Sequence, residues 1–138
     1  MAMDNDVIEV SGKCVCGGVR FTAKAEPRIF ACHCKMCQEW AAGPYMSVRV
    51  HDLEMKDTDG ALARFRSSEW AGRYFCGLCG TLLAWSKKDS PRDFINHALI
   101  AQSKDFPFAT EVCVESAHPS YAFDGERERL TSKECGFE

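Results

Sequence analysis

Cys76-Gly77-Leu78-Cys79-Gly80 carries the first decision about this chain. Two thiols three residues apart, with glycine inside and just after the turn, let the backbone fold tightly enough to aim both sulfurs at one point. Gly80 can take the positive φ that such a turn often needs. The pair supplies two ligands, half of what a closed tetrahedral thiolate site takes. The other half stands about sixty residues earlier, where Cys14-Val15-Cys16 precedes Gly17 and Gly18. Residues two apart on a strand point to the same side, so these thiols too can meet one ion. Joining the pairs would tie the start of the chain to its middle.

Between them lies Cys32-His33-Cys34-Lys35-Met36-Cys37, which combines both spacings within six residues. Three ligands leave a fourth position open. The seven clustered cysteines therefore divide as four plus three, one closed site and one open one; closed sites are structural, and chemistry happens at open ones. Soft thiolates select zinc or an iron–sulfur cluster over magnesium, calcium or manganese, and the spacings do not match the usual iron–sulfur runs. The expectation is two zinc ions per chain. The alternative is a second structural site, with Cys32, Cys34 and Cys37 completed by Cys113, His33 or a solvent molecule.

Composition bounds the rest. A chain of 138 residues with 46% hydrophobic and 27% charged residues suits one folded domain, spanning 1–138 with a core at about 8–125 and a tail at 126–138. A net charge of −3 argues against holding nucleic acid or an acidic membrane by total charge. The uncharged stretch 94–103 is too short and polar to span a bilayer. The start, Met1-Ala2-Met3-Asp4-Asn5-Asp6, has neither the basic residues nor the apolar segment of a secretory signal, so the chain is expected in the cytoplasm, where thiols stay reduced. Nine cysteines there are a poor disulfide framework and good metal ligands.

Short segments bounded by turn residues recur. Stretches 7–10, 17–23, 28–31, 45–51, 61–66, 81–85 and 111–115 read as strands, and 57–60 as a turn. In 111–115, Val112 and Val114 would share a face, with Cys113 on the other. The stretch 94–101 reads as strand or short helix; the charged stretches 86–93 and 124–134 read as solvated loop or tail. The result is a mainly β domain. His33 would point away from its neighbouring cysteines and serve packing or support. Cys113 reads as a small buried hydrophobe, Cys135 as an exposed tail thiol, and Trp40, Trp70 and Trp85 as core. His51, His97 and His118 read as surface or satisfied core histidines. Lys35 and Arg73 lie near ligands and either pair with substrate carboxylates or are solvated charges. No general acid or base stands out.

Taken together, Gly12-Lys13-Cys14-Val15-Cys16-Gly17-Gly18-Val19-Arg20-Phe21, Cys32-His33-Cys34-Lys35-Met36-Cys37 and Arg73-Tyr74-Phe75-Cys76-Gly77-Leu78-Cys79-Gly80-Thr81-Leu82 resemble the signature of the glutathione-dependent formaldehyde-activating enzyme family, which includes the domain of centromere protein V. Order, spacing and flanking glycines match over roughly residues 8–85. The resemblance implies a β-tent of small antiparallel sheets organised around zinc sites. It implies a structural zinc on Cys14, Cys16, Cys76 and Cys79, and a catalytic zinc on Cys32, Cys34 and Cys37. The activity implied is the joining of glutathione to formaldehyde as S-(hydroxymethyl)glutathione, formally carbon–sulfur lyase chemistry. In the C-terminal half, Ala98-Leu99-Ile100-Ala101-Gln102 stands where the family usually has Gly-x-Leu-Asp, and Tyr121 falls near a usual Trp. The chain is thus read as a zinc-dependent lyase acting on a glutathione-like thiol and a small aldehyde or their adduct, with the substrate thiol as the fourth ligand of the open site. The alternative is a non-catalytic, zinc-stabilised binding module. Neither nucleic acid nor a membrane is an expected partner.

Overall fold

Alternating burial marks the strands of this protein as clearly as their hydrogen bonds do. A computed structural model describes residues 6–136; residues 1–5 of the acidic start, and Phe137 and Glu138 at the end of the expected tail, lie outside the described residues. The strands are β1 (Ile8–Lys13), β2 (Val19–Ala25), β3 (Ile29–Cys32), β4 (Tyr45–Asp57), β5 (Leu62–Arg66), β6 (Ala71–Cys76), β7 (Leu82–Lys87), β8 (Arg92–Asn96), β9 (Phe108–Val112) and β10 (Glu128–Leu130). Helix α1 (Lys35–Ala41) follows β3, and α2 (Ser132–Cys135) follows β10. In β2, Val19, Phe21, Ala23 and Ala25 point inward while Arg20, Thr22 and Lys24 point out, the period-two pattern of a half-buried strand.

The long strand β4 organises the sheet. One edge pairs with β8 through Ser47–His51. The other is divided: its first residues pair with β3 and its second half with β2. Two sheet portions therefore diverge from one strand, in the order β10-β9-β3-β4-β8-β7-β6-β5, with β1 and β2 branching from β4. The fold is mainly β, as expected. Most pairings are antiparallel, but β9 runs parallel to both β3 and β10. Val19, Phe21, Val48, Val50, Leu83, Ile95 and Ile100 form the core, which Cys14 and Cys76 join.

Several local expectations change. Helix α1 was not evident in the sequence; Cys34 caps its start, and Ala42 ends it in the left-handed conformation at φ 62°. The strand expected at 111–115 stops at Val112. Cys113 turns to φ 58° and 114–116 form a 3-10 turn, so Val112 and Val114 do not share a strand face. The stretch 94–101 is both of its alternatives in succession, strand to Asn96 and then a 3-10 turn at 97–99 capped by the Asn96 side chain. The segment expected as solvated tail contributes β10 to the sheet and forms α2 behind a Thr131/Glu134 capping box. Among the described residues, no helix is long and apolar enough to cross a membrane.

Candidate metal centres

The first cysteine pair sits in a turn rather than on a strand, which corrects the strand-alternation argument. Past the end of β1 the Cys14 N–H donates to Val19 O (3.0 Å) and the Gly17 N–H to Cys14 O (3.0 Å), while Gly17 takes φ 80°. At the far pair, Cys76 ends β6 and Gly80 takes φ 82°, closing a turn in which the Gly80 N–H donates to Cys76 O (2.8 Å). The four sulfurs lie within 4.8 Å of one another, with Cys14 to Cys16 at 3.6 Å and Cys16 to Cys76 at 3.7 Å. Thiolates bound at about 2.3 Å to a tetrahedral ion lie about 3.8 Å apart, so the donor set fits a metal. Backbone N–H groups already point at the sulfurs: Gly18 to Cys16 (3.4 Å), Val19 to Cys14 (3.3 Å) and Leu78 to Cys76 (3.4 Å). Hydrogen bonds from Thr81 hold the Cys79 thiol down to about 5. Cys14 and Cys76 are wholly buried, whereas Cys16 and Cys79 face solvent.

The second cluster is local. Cys32 ends β3, Cys34 caps α1, and Cys37 is buried in the first turn of that helix. The Cys37 N–H donates to Cys34 Sγ (3.3 Å), and the three sulfurs lie within 4.8 Å of one another. Hydrogen bonds from Cys32 and Cys37, together with the Arg73 charge, push Cys34 well below the ordinary thiol range. Contacts with Cys113, Cys34 and Cys37 push Cys32 up. Three clustered sulfurs are a donor set that suits a soft cation, which displaces thiol protons on binding. From β6, Arg73 Nη1 reaches Cys37 Sγ at 3.5 Å, and its guanidinium lies 4.9 Å over the Trp40 ring. His33 turns away, as expected, with Nε2 at 2.7 Å from Glu111 Oε1. Cys113 is buried beside Cys32 but lies outside the group of three.

A cavity of about 500 Å³ opens on this cluster, and Cys32, Cys34 and Cys37 line it. Its wall is a file of rings in edge contact: Phe30 on Phe94 (5.9 Å), Phe94 on Trp85 (5.6 Å) and Trp85 on Trp70 (5.9 Å). Trp70 and Trp85 are therefore wall rather than core, and Trp40 is half-buried beneath Arg73. Two cations that the sequence reading missed, Arg28 and Arg49, also line the cavity and lie over the Phe30 ring at 5.5 and 5.4 Å. Both pair with Glu26. Burial would push the Glu26 carboxyl up; the Arg49 hydrogen bonds and the Arg28 and Arg92 charges outweigh it and hold the group below its usual range. Both cations named from the sequence have partners within the chain. Lys35 is exposed and paired with Glu39, and Arg73 is committed to Cys37 and Trp40. Cys135 is half-buried on the cavity wall, not an exposed tail thiol. Of the remaining histidines, His97 Nδ1 meets Met46 O at 3.1 Å and His118 stacks on Tyr121; neither they nor His51 line the cavity.

The profile of a family described as glutathione-dependent formaldehyde-activating enzyme matches residues 9–116. All seven clustered cysteines fall inside the match, and residues 117–136 follow it. The chain is similar to an uncharacterised lyase of Schizosaccharomyces pombe, 29% identical over 129 residues that cover 91% of this chain and 93% of that protein. In fold it is similar to a crystal structure of a Rhodobacter sphaeroides protein, with a TM-score of 0.58 and 18% identity over 72% of this chain and 99% of the other.

Proposed function

This chain belongs to the glutathione-dependent formaldehyde-activating enzyme family, and on that footing we propose that it is a zinc-dependent carbon–sulfur lyase joining a glutathione-like thiol to a small aldehyde. In the joining direction a carbon–sulfur bond forms as the carbonyl π bond opens, and the thiol proton ends on the new hydroxyl. The reverse releases thiol and aldehyde. In this reading Cys14, Cys16, Cys76 and Cys79 would hold a structural zinc, and Cys32, Cys34 and Cys37 would hold the second ion at the wall of the cavity they line. A zinc ion there supplies a Lewis acid that keeps a substrate sulfur deprotonated and nucleophilic at neutral pH. The reading takes the chain to work in the cytoplasm, where thiols stay reduced.

The observation that carries the reading is the shared lining: the three-cysteine cluster and the Arg28/Arg49 pair face one cavity. The guanidiniums on the cavity wall are donors of the kind a substrate carboxylate takes, and glutathione has carboxylates where formaldehyde has none. The ring file of Phe30, Phe94 and Trp85 gives the cavity an apolar wall. Arg73 beside Cys37 offsets the charge of three thiolates. The test is the rate at which zinc-loaded protein forms the hydroxymethyl adduct from formaldehyde and glutathione, or other small thiols, followed by NMR. Acceleration lost in Cys34→Ser with the fold intact is expected. No acceleration across the thiol panel would leave a zinc-stabilised binding module.

A further inference from the structure

Next to the three-cysteine cluster lies a buried polar chain that the proposed chemistry does not use. His33 Nε2 is 2.7 Å from Glu111 Oε1; a carboxylate oxygen only accepts, so the ring proton sits on Nε2. The other oxygen, Oε2, accepts from Arg127 Nη1 at 2.7 Å and Arg129 Nε at 3.0 Å. His33 and Glu111 are buried, and the Arg127 side chain is 8% exposed. An aromatic shell encloses the chain: the His33 ring lies against Phe123, Phe123 stands edge-on to Phe108, and the Arg127 guanidinium is 4.2 Å over Phe108. Behind the arginines, Arg127 donates to Asp124 O and Arg129 Nη2 to Gly125 O (3.1 Å).

His33 is the residue between two cysteines of the triple, and its backbone is held as firmly as its ring. Its N–H donates to Val112 O at 3.0 Å. Its carbonyl accepts from Gln38 Nε2 at 2.6 Å, and the same amide donates to Ser116 O at 2.7 Å. Fixing this residue from three directions fixes the spacing and direction of Cys32 and Cys34. Stability alone is a poor explanation for the ion chain, because apolar residues of equal volume commonly do as well as a buried ion pair. What the ion chain adds is direction.

We propose that Glu111, Arg127 and Arg129 are positioning residues for the three-cysteine metal centre: the segment 124–130 acts as a strap that orients Glu111, and through it His33 and the Cys32–Cys34 turn. The proposal rests on a metal at the triple, not on the identity of its substrate. Outer partners of metal ligands typically change metal affinity by about 10–100-fold.

The test uses cobalt-loaded full-length protein. The difference between the wild-type and Cys37→Ser spectra isolates the bands of the triple, and chelator competition gives its affinity, with the four-cysteine site as internal standard. In Arg127→Met the triple should bind cobalt at least about tenfold more weakly with shifted charge-transfer bands, while the quartet is unchanged. Arg127→Lys should recover most of the affinity. The double variant Arg127→Met/Glu111→Gln removes the buried carboxylate charge that Arg129 alone is left to pair, so it should melt cooperatively and no lower than Arg127→Met without regaining affinity at the triple. Bands and affinity unchanged in Arg127→Met, affinity returning together with the melting temperature in the double variant, or failure of the double variant to fold would each overturn the proposal. A wild-type chain that takes cobalt at the quartet alone would instead overturn the metal reading on which it stands.

Discussion

The two cysteine clusters share turn chemistry and stand in opposite relation to the rest of the molecule. The quartet joins two turns separated by 60 residues, buries Cys14 and Cys76 in the core and receives backbone N–H groups on three of its sulfurs. Beside it the turn residues Val15 and Leu78 are exposed to solvent. The triple draws its cysteines from one short segment, where a metal would constrain little chain, and it faces a cavity with aromatic walls and cations. Number and reach of ligands decide what an ion does to the fold; what surrounds the remaining position decides what it does to a substrate.

Breaking the quartet should have the largest effect. Structural zinc contributes about 10–16 kcal/mol of apparent binding energy, comparable to the about 5–15 kcal/mol that stabilises a whole domain. Cys76→Ser is expected to lose both its metal and a cooperative thermal transition, measured by calorimetry and metal analysis with zinc in excess. Cys37→Ser should lose one metal per chain and the thiol chemistry yet still melt cooperatively, only several degrees lower, at roughly 4 °C per kcal/mol for a domain of this size. If it collapses as completely as Cys76→Ser, both clusters are structural and the contrast between them disappears.

The contrast sharpens with smaller changes. Arg73→Met keeps bulk and removes the guanidinium from Cys37 Sγ. A hydrogen bond to a charged group is worth about 1.5–3 kcal/mol, so the triple should release its metal to a chelator at about 10–150-fold lower concentration, with the quartet unmoved. Arg28→Met should leave both metals in place and raise KM for glutathione several-fold, but not for 2-mercaptoethanol, which has no carboxylate for the pair of arginines to hold. Equal effects on the two thiols would remove Arg28 from substrate binding. Lys35→Ala is expected to change stability by less than about 0.5 kcal/mol and leave steady-state rates intact, because its exposed partner Glu39 is already solvated.

The two cysteine clusters were legible because their geometry is local. Cys14/Cys16, Cys76/Cys79 and the triple are spaced by two or three residues, and backbone turn geometry acts over that range. Even so, the Cys14/Cys16 pair is brought together by a glycine turn and not by strand alternation. The mainly β class followed from short stretches such as that of β2, whose inward residues alternate. Helix α1 escaped notice because, of its seven residues, only Cys37 is buried, leaving no apolar stripe to read. The strand expected at 111–115 failed at Cys113, where a left-handed backbone breaks an otherwise regular pattern; nothing in a cysteine between valines announces it.

By itself, the sequence determined the two donor sets, the β class and the family to which they belong, since each depends on residue type at short separations. Only the tertiary structure decided which cluster faces a cavity. Phe30, Phe94 and Trp85 form one wall, and Arg28 meets Arg49 over Glu26, because β3, β4, β7 and β8 lie side by side in the sheet. The charged segment after residue 124 reads as a solvated tail by composition, yet Arg127 and Arg129 turn inward onto Glu111. A buried carboxylate must find cations wherever the fold can supply them, and the parallel return of β9 beside β3 carries Glu111 to within reach of His33, 78 residues away in the chain.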